Sequence, residues 1–130
     1  MLYFEDMVPG TTIVGPNVVA ELEEMIEFAR IWDPLPQHSD ENIGQQAFET
    51  LTAPGIYILA LKQRLIHQLD EQQAVIASLG YDEVRFHEAV RPNDCLTLKL
   101  EWIKRRLSKS KKDRGSLQFA SHCSIRTKSL

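Results

Sequence analysis

Hydrophobic positions change period several times along the chain, and each change marks an element. The β-branched run Thr-Thr-Ile-Val-Gly-Pro-Asn-Val-Val over residues 11–19 predicts a short strand interrupted at Gly15-Pro16, since proline brings no N–H to a ladder. From Leu22 the spacing is helical. Leu22, Met25, Ile26, Ala29 and Trp32 recur on one face, and Glu21, Glu23, Glu24 and Glu27 fill the others. Acids near the first turn and Arg30 near the last suit the helix dipole. Pro34 and Pro36 then end the helix, which predicts an extended, stiff loop over residues 33–38. One short helical turn is expected between Asp40 and Phe48.

The most apolar stretch follows Pro54-Gly55. Ile56, Tyr57, Ile58, Leu59, Ala60 and Leu61 run into Leu65, Ile66 and Leu69 without a Gly or Pro, which predicts a helix over residues 55–69. Its first two turns are apolar all round, so that end must be enclosed. The remainder reads as strands: residues 74–79, a turn at Gly80-Tyr81-Asp82, then residues 83–86. After the turn Arg91-Pro92-Asn93-Asp94, Leu96, Leu98, Leu100 and Trp102 alternate with polar residues. Leu117, Phe119, Ser121, Cys123 and Ile125 alternate again beyond a basic tip at residues 108–115. A long antiparallel hairpin and an enclosed helix predict an α+β domain with a curved sheet wrapped around that helix.

Composition narrows the class. At 130 residues with 43% apolar and 25% charged positions, the chain fits one globular domain over residues 1–130 and excludes collagen-like and disordered types. No apolar run is long enough to cross a bilayer, so no membrane partner is expected. Cys95 and Cys123 lack zinc-site spacing, which points to reduced thiols and a cytoplasmic setting.

Charge is unevenly placed. Residues 1–50 hold ten acids and one base, whereas residues 104–130 hold nine bases and one acid. The basic cluster reads as a solvated hairpin tip or as an anion site. It has no interleaved aromatics and the chain's pI is about 5.8, so nucleic acid is not an expected partner.

Two places suit chemistry. Asp33 and His38 stand five residues apart across the proline-flanked segment. There a carboxylate can orient a water molecule and an imidazole can exchange its proton near neutral pH. Ala53-Pro54-Gly55 opens the enclosed helix, where unpaired N–H groups and a close backbone approach suit a polarised carbonyl oxygen. Both places also have plain structural readings, as caps and as a good helix start. His67, His87 and His122 read as solvated or sheet-rim residues, and no metal site is expected.

Read together, these segments resemble the MaoC-like acyl dehydratases, which include the (R)-specific enoyl-CoA hydratases. The likeness runs from Tyr3-Phe4-Glu5-Asp6 and Pro9-Gly10 through Phe28-Ala29-Arg30-Ile31-Trp32 and Asp33-Pro34-Leu35-Pro36-Gln37-His38. It continues at residues 48–55 and in the strand-turn segment over residues 84–94. The resemblance implies a hotdog fold, homodimers, and an acyl-CoA or acyl-carrier-protein thioester as substrate, without metal or redox cofactor. Asp33 and His38 would activate water for addition to, or removal from, the 2,3 bond, and the Gly55 amide would hold the thioester oxygen. Trp32, Pro54 and Tyr57 are expected to line the substrate, and Arg105 and Arg106 to meet the phosphates of CoA. Trp32, Leu35, Gln37, Glu49 and Thr50 depart from the family pattern, with Trp32 and Glu49 placed to reshape the pocket. A hotdog thioesterase and a non-catalytic acyl-thioester-binding domain are the alternatives.

Overall fold

The computed structural model describes residues 1–48 and 50–126; Glu49 lies outside them. Three strands, β1 (Thr12–Val19), β2 (Cys95–Leu107) and β3 (Gly115–Arg126), form an antiparallel sheet in the order β1-β2-β3. The predicted break in β1 is a bulge: the register shifts between Val14 and Asn17. Gly15 there lies so close to Leu69 and Leu98 that an added β-carbon would stand 3.1 Å and 3.3 Å from them.

In the hairpin, Leu96 pairs with Ile125, Leu98 with Cys123, Leu100 with Ser121 and Trp102 with Phe119. Directly paired residues share a face, so one face of the sheet carries the buried leucines and Trp102. The turn before β2 forms as expected. The Arg91 amide donates to Asp94 Oδ2 (2.8 Å), and Asn93 takes the left-handed conformation (φ 70°) that asparagine tolerates.

The enclosed helix runs over Gly55–His67, two residues shorter than the pattern predicts. Its first turn packs into a cluster of Ala20, Met25, Leu51, Ala53, Tyr57, Leu61, Val90 and Leu96. Its far end meets Met7, Leu65, Leu69, Leu98, Leu100 and Trp102. Each leucine so buried contributes roughly 2 kcal/mol, so this helix is held along its whole length.

α1 (Leu22–Trp32) buries Met25 and Ala29 against it, but Trp32 is 67% exposed, so the apolar stripe ends one turn early.

Three expectations change. Residues 33–38 are not extended throughout: α2 (Pro36–Ser39) begins on Pro36, where no helical N–H is required. The turn expected after Asp40 is a full helix, α3 (Glu41–Phe48); Asp40 Oδ1 accepts from the Asn42 and Ile43 amides. The enclosed helix is therefore α4. Residues 74–89 form no strand among the described residues. An isolated parallel bridge between Leu2 and Gln73 stands just before them, and Val75, Ile76, Leu79 and Tyr81 are exposed. Apolar alternation favours a strand only where a partner edge stands at hydrogen-bonding distance, and here none pairs with it.

Candidate active site

The Asp33 amide donates to the Ala29 carbonyl at 2.9 Å, closing α1 and placing Asp33 at its end. Five residues on, α2 is stitched to the segment leading into α4 by two bonds. The Thr52 amide donates to the Gln37 carbonyl (3.3 Å), and His38 Nδ1 lies 2.7 Å from the Thr52 carbonyl oxygen. A carbonyl oxygen only accepts, so Nδ1 carries the ring hydrogen and Nε2 is left with a free lone pair. Nε2 sits 3.9 Å from Asp33 Oδ2, too far for a direct bond. A water oxygen about 2.8 Å from both atoms would see them roughly 90° apart, close to the angle between its own O–H bonds. The His38 side chain is 14% exposed and that of Asp33 35%, so the pair is sheltered but reachable.

Gly44 holds this arrangement in place. A β-carbon on it would come within 2.7 Å of Leu51 Cα, so α3 packs backbone to backbone against the approach to α4. Leu51, Thr52, Ala53 and Pro54 are buried, and the Ala53 amide donates to Val90 O (2.8 Å). Pro54 is the cap residue of α4, and its carbonyl accepts from the Tyr57 and Ile58 amides. The Gly55 and Ile56 amides precede any helical acceptor and have no partner among the described residues. They are donors of the kind an oxyanion needs, three residues from the carbonyl that fixes His38.

A family model described as "MaoC like domain" matches residues 6–118. The chain belongs to the MaoC-like family. This MaoC-like chain is similar to a MaoC-like dehydratase from Rhodospirillum rubrum, with TM-score 0.80 and 24% identity over 97% of this chain and 87% of that one. A monoamine oxidase regulatory protein from Archaeoglobus follows at TM-score 0.74 and 23% identity, over 97% and 95% of the two chains. An (R)-hydratase from Pseudomonas aeruginosa matches at TM-score 0.60 and 17% identity, over 93% and 82%. No curated relative matches the chain. The antiparallel sheet with α4 on its face is the hotdog fold.

The structure brings Asp33, His38 and Thr52 together, with Gly55 three residues beyond Thr52, and gives other expected residues different partners. Tyr57 is buried, edge-on to Phe28, and its hydroxyl donates to Glu24 Oε1 at 2.7 Å. It joins α1 to α4 rather than offering its hydroxyl to a ligand. Glu24 also accepts from Arg64. Burial and Glu24 push the Tyr57 phenol well above its ordinary range, so it stays protonated.

Arg105 donates from Nη1 to the carbonyls of Phe4, Glu5 and Met7 (3.1, 3.0 and 3.5 Å) and covers the Phe4 ring. That places it beyond the far end of α4, about 20 Å from Gly55 by helix length. Arg106 is exposed on the same stretch of β2, and Trp32 is exposed beside Asp33 in sequence.

Two residues escape sequence reasoning. The Thr52 backbone carbonyl leaves no signature in a side-chain pattern. Phe86 lies against Gly55, and its only signal is an apolar position two residues after Val84. Among the described residues no cluster of His, Cys, Asp and Glu could hold a metal ion, and no helix is long and apolar enough to cross a membrane.

Proposed function

We propose that this MaoC-like chain is a hydro-lyase acting on an acyl thioester. The observation that carries the reading is the His38 ring, locked through Nδ1 on Thr52 with Nε2 facing Asp33, three residues from the free amide of Gly55. The thioester oxygen accepts from the Gly55 amide, which draws electron density away from the β-carbon. Asp33 accepts one hydrogen of a water molecule and His38 Nε2 removes the other proton as the oxygen bonds to the β-carbon. The double-bond electrons move onto the α-carbon and thioester oxygen, where Gly55 stabilises the developing charge. The proton on His38 then passes to the α-carbon. Dehydration is the same path reversed.

The reading requires no metal or redox cofactor. CoA or the pantetheine arm of a carrier protein enters as part of the substrate, and a cytoplasmic setting supplies both. The working unit is a homodimer. Among the described residues β3 is an edge strand, and the apolar side chains Val75, Ile76 and Leu79 are left exposed. A second copy covers such an edge with the same patch.

The test is a panel of 2-enoyl thioesters followed for both double-bond absorbance and free thiol. Loss of absorbance without thiol supports the hydro-lyase. Thiol release supports the thioesterase, and neither change across the panel supports a binding domain. Chromatographic mass at the monomer value would overturn the dimer.

A further inference from the structure

Gly44 stands at the seam between the two segments that hold His38. It is buried in α3, and its amide donates to the Asp40 carbonyl at 2.9 Å. A β-carbon on it would lie 2.7 Å from Leu51 Cα, 3.1 Å from Leu51 N and 3.2 Å from the Gln37 carbonyl oxygen. All three atoms are backbone. Gln37 belongs to α2 and Leu51 to the approach to α4, so no rotamer change makes room for a side chain here. Glycine weakens a helix interior, and this close approach gives it a reason to stand there.

The same two segments carry both bonds that define the His38 ring. The Gln37 carbonyl accepts from the Thr52 amide at 3.3 Å, already long for a hydrogen bond, and the Thr52 carbonyl lies 2.7 Å from His38 Nδ1. Leu51 directly precedes Thr52, and Gln37 directly precedes His38. Ordinary contact begins at 3.4 Å, so a methyl group on residue 44 would displace Leu51 Cα by about 0.7 Å. Carried into Thr52, such a shift exceeds the whole range of ~2.7–3.2 Å over which N–H···O bonds form.

We infer that Gly44 is a positioning residue for His38: its missing side chain lets α3 back onto Leu51 and Gln37, which holds the Thr52 carbonyl on Nδ1 and fixes which ring nitrogen carries the hydrogen. The inference deepens the hydro-lyase reading and rests on it for its kinetic consequence, since Nε2 must keep its lone pair to take a proton from water. With the Thr52 carbonyl in place, Nδ1 is the nitrogen that holds the hydrogen. Once that carbonyl moves away, nothing selects this tautomer. Asp33 Oδ2, 3.9 Å from Nε2, then favours the opposite one by accepting from Nε2–H. A ring in that form offers the water no base.

The test reads the tautomer by nitrogen–proton NMR correlation of the labelled protein at about pH 8.5, above the ordinary imidazole range, with His38 assigned by its loss in His38→Ala. Wild-type protein should carry its hydrogen on Nδ1. Gly44→Ala should show a substantial Nε2–H fraction. Per folded molecule, its kcat on 2-enoyl thioesters should fall by about ten- to a hundredfold, with KM changed by less than about twofold. The loss should not add to that of His38→Ala, so the double variant should be no slower than His38→Ala alone.

A wild-type ring protonated at Nε2 overturns the inference. So does a Gly44→Ala ring that keeps the wild-type form, or a loss of rate that adds in full to that of His38→Ala. If Gly44→Ala fails to fold, Asp40→Ala loosens the same helix without a clash, because Asp40 Oδ1 caps it through the Asn42 and Ile43 amides. A pure wild-type tautomer in Asp40→Ala then overturns the inference, and a mixed one supports it. Turnover of no thioester by the wild type removes the hydro-lyase reading and leaves the NMR result to decide Gly44. A shifted tautomer with unchanged kcat removes His38 from the reaction and keeps Gly44 as the residue that sets its ring.

Discussion

Phe86 packs against Gly55 so closely that a β-carbon on residue 55 would stand 2.5 Å from its Cε2 and 2.7 Å from its Cζ. Contact at that range leaves room for hydrogen alone, which gives glycine a steric reason at the start of α4 besides its open backbone. Gly55→Ala should push the ring aside and destabilise the protein by about 1 kcal/mol, the low end for overpacking because the ring can swing. Phe86→Ala in the same chain should recover most of that loss. A double-mutant cycle by chemical denaturation checks it, and additive effects would show that the two residues do not interact.

His38→Ala and Asp33→Asn are each expected to lower turnover on 2-enoyl thioesters by about two to four orders of magnitude. The structure separates the two in stability. His38→Ala leaves the buried Thr52 carbonyl without its partner and should cost about 1 kcal/mol, whereas Asp33→Asn keeps its shape and its backbone bond to Ala29. Steady-state kinetics and thermal melts on the same preparations read both. Parental rates in either variant would remove that residue from the reaction.

The tie between α1 and α4 should weaken in acid. The Tyr57 hydroxyl bond, helped by Arg64, holds the Glu24 carboxyl below its ordinary value of 4.5. A depressed folded value means that the stabilisation is complete above the unfolded value and is lost as pH falls through the folded one. At neutral pH Glu24→Gln should lose about 1 kcal/mol, a hydrogen-bond figure kept small because the side chain is 37% exposed to screening water. As the pH falls through the lowered folded value the two proteins should converge. Urea melts across that range test the sign; a gap that widens in acid would contradict it.

Arg105 and Arg106 are adjacent in sequence and should behave differently. Arg105→Ala removes the group that gathers three carbonyls and the Phe4 ring, and should lower stability by about 1–2 kcal/mol. Arg106→Ala, at an exposed site, should change it by less than about 0.5 kcal/mol. Thermal melts of both variants decide this. A rise in KM for CoA esters, with no change for short pantetheine esters, would instead return either residue to the phosphates.

The hydrophobic periods read directly from sequence placed α1, α4 and the β2–β3 hairpin close to where they stand, because burial of one face sets both the period and the element. The same reading made strands of residues 74–79 and 83–86, since alternation records a preference for pairing but not whether an edge is available. It made residues 33–38 wholly extended because Pro36 looks like a breaker, although at the first helical position it is compatible with helix. Tyr57 looked like a pocket residue because nothing local to it mentions Glu24, which lies 33 positions away.

The succession of β1, α1, α4 and the β2–β3 hairpin, the α+β class and the five-residue spacing of Asp33 and His38 were written in local sequence, where spacing and apolar pattern act over a few residues. The tertiary structure alone decided which ring nitrogen of His38 holds its hydrogen, which side chain leans on Gly55, where Arg105 points and that Lys62 is enclosed. Each of those depends on a partner 14 or more positions away, and only the packing of α4 against the sheet and its flanking segments brings such partners together.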